Sequence, residues 1–270
     1  METVFIIGPA RSGTKILRDS LALHSEASCI PYDINFLWKF KAAPCSDDCL
    51  KAEDLQQQTI NTMHQVFRAH CRHKNILFEK TVSNCVRVNY VKKAFPDAKF
   101  IYLFRNPVDV IESVKRQWGL LPKKTYLLKK FLSFPLRVTI PYSVNFFQEF
   151  TSRKKTSNKY IWGVKYSGYQ NDLKRLSLLE IITKQWCECY NSIKSSNVNG
   201  LYLSYEELVK EPRELLIKVS NFLGKDFTSV PISQINTTNI NKGRLGLSKP
   251  EIKYIHSTLK DEMEDLGYGL

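Results

Sequence analysis

Short apolar runs, each bounded by turn-forming residues, recur along the chain and predict buried β-strands. The clear ones lie near residues 3–8, 75–79, 98–104 and 200–204, and a weaker one lies near 27–30. The runs are almost continuously apolar, which is typical of parallel strands that are covered on both faces of a sheet.

Between these runs the apolar residues recur every three or four positions, which predicts amphipathic helices. The helical patterns cover residues 14–24, 172–194, 206–223 and 249–265. Strands that alternate with helices predict an α/β three-layer sandwich with a central parallel sheet of about five strands. In such sheets, ligands bind beyond the carboxyl ends of the strands.

One stretch departs from this alternation. Residues 115–159 contain eleven Lys or Arg residues and a single acid, Glu149, interleaved with aromatic residues and three prolines. Prolines divide such a stretch into short pieces. We interpret the stretch at about 115–160 as a basic aromatic insertion over the functional site, within a single domain that spans residues 1–270.

Composition narrows the range of partners. The 270 residues are 43% hydrophobic, enough for a sizeable core, and the net charge of +14 favours anionic partners. No apolar run reaches the roughly 20 residues that a membrane-spanning helix needs. No signal-peptide pattern precedes the first strand, and the odd number of seven cysteines fits reduced thiols. We therefore expect a cytoplasmic protein.

The strongest local motif is Gly8–Lys15, which reads Gly-Pro-Ala-Arg-Ser-Gly-Thr-Lys between a predicted strand and a predicted helix. Small residues let backbone N–H groups approach an oxyanion, and the helix N-terminus adds partial positive charge. A Walker A loop would place a lysine where Thr14 stands. The strand near 98–104 is followed by Arg105, whereas a metal-dependent nucleotide hydrolase needs an acid near such a strand end. The loop is thus P-loop-like, and a metal-dependent kinase or NTPase is the less favoured alternative.

A second candidate anion site follows the strand near 98–104. Arg105 stands at its carboxyl end, where a guanidinium can grip a phosphate. Pro107 and Asp109 are typical of the first turn of a helix, so we assign Asp109 a structural role. Ser113, further along that helix, could return a hydroxyl to the same anion.

These two sites together resemble the 5′-phosphosulfate loop and the 3′-phosphate site of sulfotransferases that use 3′-phosphoadenosine 5′-phosphosulfate (PAPS). Two more segments match in the expected order: Phe78–Thr81, similar to the strand end with the catalytic lysine, and Leu203–Val209, similar to the segment whose tyrosine lies by the adenine. The chain most closely resembles bacterial members, which are related to tyrosylprotein and cytosolic sulfotransferases. Glu211-Pro212 and Phe222–Gly224 extend the last match, so the motifs span residues 8 to 224.

The resemblance implies a role for each matching residue. It places the 5′-phosphosulfate on a group of loop residues and the 3′-phosphate on Arg105 and Ser113, with Tyr205 by the adenine. Lys80 would stabilise charge on the bridging oxygen. The loop residues are Arg11, Ser12, Gly13 and Thr14.

Two further cofactor-binding candidates, Lys242 and Arg244, lie in a segment similar to a basic loop that closes over the cofactor in relatives. Lys15 replaces a second threonine common in the family, and its side chain could reach the sulfuryl group or face solvent. Adenosine 3′,5′-bisphosphate (PAP) would be the product, and no metal is expected.

The general base is open between two carboxylates. Cytosolic relatives carry a histidine two residues after the lysine, where this chain has Val82. Other relatives use a glutamate past the loop, in the region that here contains Asp33, which is the first candidate. Glu79, next to Lys80, is the second.

The implied function is transfer of a sulfuryl group from PAPS to an acceptor hydroxyl. The insertion favours a saccharide or glycoconjugate, including an acidic or lipid-linked glycan, because sugars stack on aromatic rings. Its lysines with leucines and phenylalanines also suit a membrane surface. The remaining alternative is a non-enzymatic anion-binding module. We do not expect a nucleic-acid partner.

Overall fold

The structure, a computed structural model, describes residues 1–42, 47–118, 125, 129–130, 132–134, 161–231 and 240–269. Five parallel strands form one sheet in the order β2-β3-β1-β4-β5. The strands are β1 Glu2–Ile7, β2 Ala27–Cys29, β3 Ile76–Glu79, β4 Lys99–Phe104 and β5 Leu201–Ser204. The predicted fold class and all five predicted strands are confirmed.

The connections between the strands are mainly helical. The helices are α1 Thr14–Leu21, α2 Asn35–Trp38, α3 Gln57–Cys71, α4 Val88–Ala94, α5 Pro107–Gln117, α6 Tyr169–Arg175, α7 Leu178–Ser195, α8 Tyr205–Lys210, α9 Pro212–Leu223, α10 Gly243–Gly246, α11 Lys249–Thr258 and α12 Lys260–Asp265. Short 3-10 turns lie at Ala52–Asp54 and Val82–Val86.

Both faces of the sheet are covered, which explains the nearly continuous apolar runs. Side chains alternate between the faces of a strand. Accordingly Phe5 and Ile7 enter a core with residues of α2, α3, α4, α5 and α7. Val4 and Ile6 enter a second core with residues of α1, α8 and α9. The result is the predicted three-layer sandwich.

Several helix predictions need correction. The pattern at 172–194 is two helices, because Ser177 caps the second one in a capping box with Glu180. The pattern at 206–223 breaks at Pro212, which lacks an N–H group and begins α9. The pattern at 249–265 divides at Leu259, and the first helix ends at Leu21 rather than at residue 24. Helices α2, α3 and α4 were not predicted.

All the strands end at the same edge of the sheet, since they are parallel. Each strand is followed there by predicted site residues: the phosphate loop after β1, Asp33 past β2, Lys80 after β3, Arg105 after β4 and Tyr205 after β5. The topology therefore gathers residues that are far apart in the chain.

Most of the predicted insertion at about 115–160 lies outside the described residues. Its described part comprises residues 115–118, 125, 129–130 and 132–134. Among the described helices, none combines the length and the apolar character that crossing a bilayer requires.

Candidate active site

The phosphate loop runs from Gly8 to Gly13 and packs closely on its neighbours. A Cβ atom on Gly8 would lie 2.1 Å from the carbonyl oxygen of Leu103 in β4. Gly13, which precedes α1, has a φ of 91°, a value that glycine adopts without strain. Arg11 also has a positive φ, 67°, and such backbone conformations in non-glycine residues cluster at functional sites.

Ser12 and Thr14 lie where α1 begins. Ser12 is fully buried, and its Oγ has no hydrogen-bond partner among the described residues. A buried hydroxyl of this kind at the positive end of a helix fits an anionic ligand. Lys15, in contrast, is exposed and forms an ion pair with Asp19 one turn along the helix. Lys15 thus faces solvent in this structure, and a contact with the sulfuryl group stays a prediction.

The loop and the start of α5 come together through two arginines and a serine. Arg11 Nε donates to Ser113 Oγ at 2.9 Å, and Arg105 Nη1 donates to the carbonyl oxygen of Arg11 at 3.3 Å. Burial lowers the pKa of Arg11, and the positive charges of Arg116 and Arg105 lower it further. Neighbouring guanidinium groups repel one another, so this cluster would be stabilised by a bound anion.

The Tyr205 ring packs against the phosphate loop. It contacts Gly13, where an added Cβ would come within 2.4 Å of Tyr205 Cδ2. The guanidinium carbon of Arg105 lies 4.5 Å from the centroid of the same ring, a cation–π distance. Because Tyr205 is only 2% exposed, it offers little surface to an adenine in this arrangement. Its ring contacts both the loop before α1 and Arg105 after β4, and it belongs to the second core.

Asp109 joins the second anion site to the C-terminal part of the chain. Its carboxylate accepts hydrogen bonds from the backbone N–H groups of Asn241 at 2.9 Å and Gly243 at 2.7 Å. It also pairs with Arg105 at 3.4 Å. The structural role assigned to Asp109 thus takes a specific form: it fixes the segment that carries Lys242 and Arg244 against α5. Lys242 is half-buried there and Arg244 is exposed.

Lys80 and Asp33 form a second cluster beyond the ends of β2 and β3. Lys80 Nζ lies 3.7 Å from Asp33 Oδ2, and their side chains are 13% and 33% exposed. Burial lowers the pKa of Lys80, while Asp33 counteracts this effect. Asp33 is held by the backbone N–H groups of Val82 at 3.0 Å and Asn35 at 3.3 Å. A partly exposed carboxylate beside a half-buried cation is accessible to an acceptor.

Glu79 has different surroundings. It is completely buried, and its two carboxylate oxygens accept from Thr81 Oγ1 at 2.5 Å and Asn84 Nδ2 at 3.0 Å. Burial raises its pKa to about 7. A general base must come within hydrogen-bonding distance of the acceptor hydroxyl. The burial of Glu79 argues against that role and favours Asp33.

Some buried charged residues near the site have no counterpart in the sequence motifs. Arg18 in α1 is 2% exposed, and its charge contributes to the lowered pKa of Lys80. Arg18 follows Thr14 by one helical turn, so the two residues lie on the same face of α1. A cation on this apolar face was the sequence signal that could have identified Arg18 as a site residue. Asp48, 1% exposed, accepts from Ser83 Oγ at 2.7 Å and from Lys165 N at 3.0 Å. No sequence motif includes Asp48, which also accepts from Asn35 Nδ2 at 2.9 Å.

Within the part of the chain that the structure describes, no group of three or more His, Cys, Asp or Glu side chains could hold a metal ion.

The family model described as "Sulfotransferase family" matches residues 3–175, which include the phosphate loop, Lys80, Arg105 and Ser113. No curated protein matches the chain.

Two solved structures show a similar fold. The sulfotransferase domain from the curacin biosynthetic pathway is 16% identical, with a TM-score of 0.52 over 96% of this chain and 97% of that one. Sulfotransferase STF9 from Mycobacterium avium is 12% identical, with a TM-score of 0.52 over 98% of this chain and 76% of that one. At these identities the likeness establishes the fold, and the family match covers more than half of the chain. The chain therefore belongs to the sulfotransferase family, the family of PAPS-dependent transferases that its motifs resemble.

Proposed function

We propose that this enzyme transfers a sulfuryl group from PAPS to a hydroxyl of a saccharide or glycoconjugate. The observation that carries the proposal is the presence of two separate clusters at one edge of the sheet, a cationic cluster and a lysine–carboxylate pair. One combines Arg11, Arg105 and Ser113, and the other is the pair of Lys80 and Asp33. A donor with a 3′-phosphate and a 5′-phosphosulfate needs an anion site for the first and a transfer site beside the second.

In this proposal the 3′-phosphate binds Arg105 and Ser113, and the 5′-phosphosulfate binds the N–H groups and the Ser12 hydroxyl at the start of α1. The buried Oγ of Ser12 supports this placement. Lys242 and Arg244 complete the donor site from the segment that Asp109 holds.

The transfer step requires charge stabilisation and one proton transfer. The acceptor oxygen forms a bond to sulfur as the bond between sulfur and the bridging oxygen of the donor breaks, which leaves PAP. Lys80 would stabilise the negative charge that develops on the departing phosphate. Asp33 would take the proton of the acceptor hydroxyl, since it is the accessible carboxylate beside Lys80.

The choice of a saccharide as the acceptor is supported by aromatic residues near Asp33. Tyr32 and Phe36 flank Asp33 in the chain, and Phe134 from the predicted insertion packs against both, with centroid distances of 6.1 and 5.4 Å. Phe36 and Phe134 are buried, so among these three rings the half-buried one of Tyr32 presents the surface on which a sugar ring can stack.

Calorimetric titration with PAP, in buffer containing EDTA, tests the donor half. We expect saturable binding without Mg²⁺, weakened by about 10- to 100-fold in Ser113→Ala and more in Arg105→Ala, because each loses a hydrogen bond to an ionised phosphate. Arg213→Ala, which changes an exposed arginine of α9, is the matched control.

Circular dichroism shows whether each variant folds. If Arg105→Ala does not fold, Ser113→Ala still tests the phosphate site. Absence of PAP binding by the wild-type protein would contradict the proposal. ATP binding that is strengthened by Mg²⁺ would favour a kinase or NTPase instead.

A further inference from the structure

A second lysine lies near enough to Lys80 and Asp33 for their charges to act on it, and no motif of the sequence includes it. Lys130 belongs to the short described stretch of the insertion at residues 129–130 and 132–134. Its side chain is half-buried, and its Nζ lies 5.0 Å from the centroid of the Phe36 ring. Phe36 lies three residues past Asp33, so Lys130 approaches the pair of Lys80 and Asp33 from the side of α2.

Aromatic packing holds this stretch in place. Phe134 is only 5% exposed. The centroid of its ring lies 5.4 Å from that of Phe36 in an edge contact, and 5.2 Å from that of His70, on which it is stacked. Ser133 Oγ donates to the carbonyl oxygen of Lys129 at 2.7 Å, which closes the turn. The position of Lys130 is therefore set by packing against α2 and α3.

The charges around Lys130 favour an anion. Burial lowers its pKa, Asp33 counteracts this, and the positive charge of Lys80 lowers the pKa further. The negative charge of Asp33 thus acts on both Lys80 and Lys130. When Asp33 accepts the proton of the acceptor hydroxyl, that negative charge disappears and the cluster gains net positive charge. An anionic substituent on the acceptor would offset this change.

We propose that Lys130 binds an anionic substituent of the acceptor, a carboxylate or a sulfate ester, so that the enzyme selects acidic saccharides. This inference rests on the proposed function, because it assigns the Lys80 side of the cluster to the donor and the Lys130 side to the acceptor. The lysine acts as a specificity-determining residue. It has no part in breaking the bond to the donor.

A transfer assay with labelled PAPS tests this assignment. The acceptors are a pool of glycosaminoglycan oligosaccharides, the same pool after carboxyl reduction, the same pool after desulfation, and a pool given both treatments. We expect label in the anionic pools and little in the doubly treated, neutral pool. The two singly treated pools show whether the carboxylate or the sulfate ester is recognised.

Variants test the residue. With the best anionic pool, Lys130→Gln should raise the KM for the acceptor by about 10- to 100-fold, as expected for loss of a charged hydrogen bond. The affinity for PAP should not change. Lys130→Arg should restore most of the affinity. Lys129→Gln, which alters the exposed neighbour in the same turn, should behave as wild type.

Several results would overturn the inference. They are equal labelling of the neutral pool, no labelling of any pool by a protein that binds PAP, and a Lys130→Gln variant that loses kcat equally on all acceptors. Failure of the wild-type protein to bind PAP would instead overturn the proposed function, and the inference with it. The PAP titration distinguishes that outcome from the others.

Discussion

Asp33 and Glu79 are two carboxylates near Lys80, and their surroundings suit them to different tasks. Asp33 is one-third exposed and held by two backbone N–H groups, whereas Glu79 is fully buried between Thr81 and Asn84. Position in the sequence could not separate them, because both fall beside strand ends. The difference arises from burial, which depends on what packs around β3.

Replacing Asp33 tests its assignment as general base. In Asp33→Asn we expect kcat to fall by about 100-fold or more, since a positioned base contributes on this scale. The dissociation constant of PAP should stay within about twofold, because Asp33 lies outside the proposed phosphate sites. Asp97→Asn, at an exposed position, is the control. An unimpaired rate in Asp33→Asn would transfer the role to Glu79 or to the acceptor itself.

Glu79 should make stability depend on pH. Burial raises its pKa from 4.5 to about 7, so the folded protein keeps this proton over a range in which the unfolded chain has lost it. Unfolding then releases a proton, and the free energy of unfolding falls as pH rises from about 4.5 to 7. The loss amounts to roughly 3 kcal/mol.

Urea denaturation at several pH values measures this effect. The difference in unfolding free energy between wild type and Glu79→Gln should change by that amount across the window, because glutamine stays neutral. A difference that is constant from pH 4.5 to 7.5 would show that Glu79 ionises normally in the folded protein.

At the level of elements, the phosphate loop depends on the turn into α1. Gly13 precedes α1 with a φ of 91° and contacts the Tyr205 ring, while Gly168 precedes α6 with a φ of 79° and has no atom within 4 Å of an added Cβ. The two glycines form a matched pair, in which only Gly13 combines backbone conformation with a close contact.

We expect Gly168→Ala to cost about 1–2 kcal/mol of unfolding free energy, the penalty for left-handed backbone. Gly13→Ala should cost more, because its methyl group displaces Tyr205, and it should also weaken PAP binding. Urea denaturation and calorimetric titration measure the two effects. Equal costs, together with normal PAP binding, would show that the contact with Tyr205 does not shape the loop.

For the whole molecule, the apolar runs were sufficient to predict the sheet. Each run is short and apolar at both odd and even positions, as in β1, and this pattern predicts parallel strands that are buried on both faces. Parallel topology then brought the strand-end residues to one edge. The patterns that misled were the long helical ones at 172–194 and 206–223, since their apolar periodicity continues across the breaks at Ser177 and Pro212.

The rest of the site could not be predicted, because it depends on contacts between distant segments. Asp109 contacts the backbone at residues 241–243, and Lys130 reaches the site only because Phe134 packs on Phe36. A single sequence shows which residue types are present and where they fall along an element. It does not show which loop folds back onto which helix.

The bonds from Asp109 to Asn241 and Gly243 have a consequence for the boundaries of the functional unit. The family match ends at residue 175, yet β5, Tyr205 and the segment that Asp109 holds all come later in the chain. A fragment cut at the end of the match would keep both arginines and lose the edge strand beside β4 and the ring beneath the loop. The recognisable signature of the family and the smallest piece of chain that contains the whole proposed donor site are therefore different lengths of polypeptide.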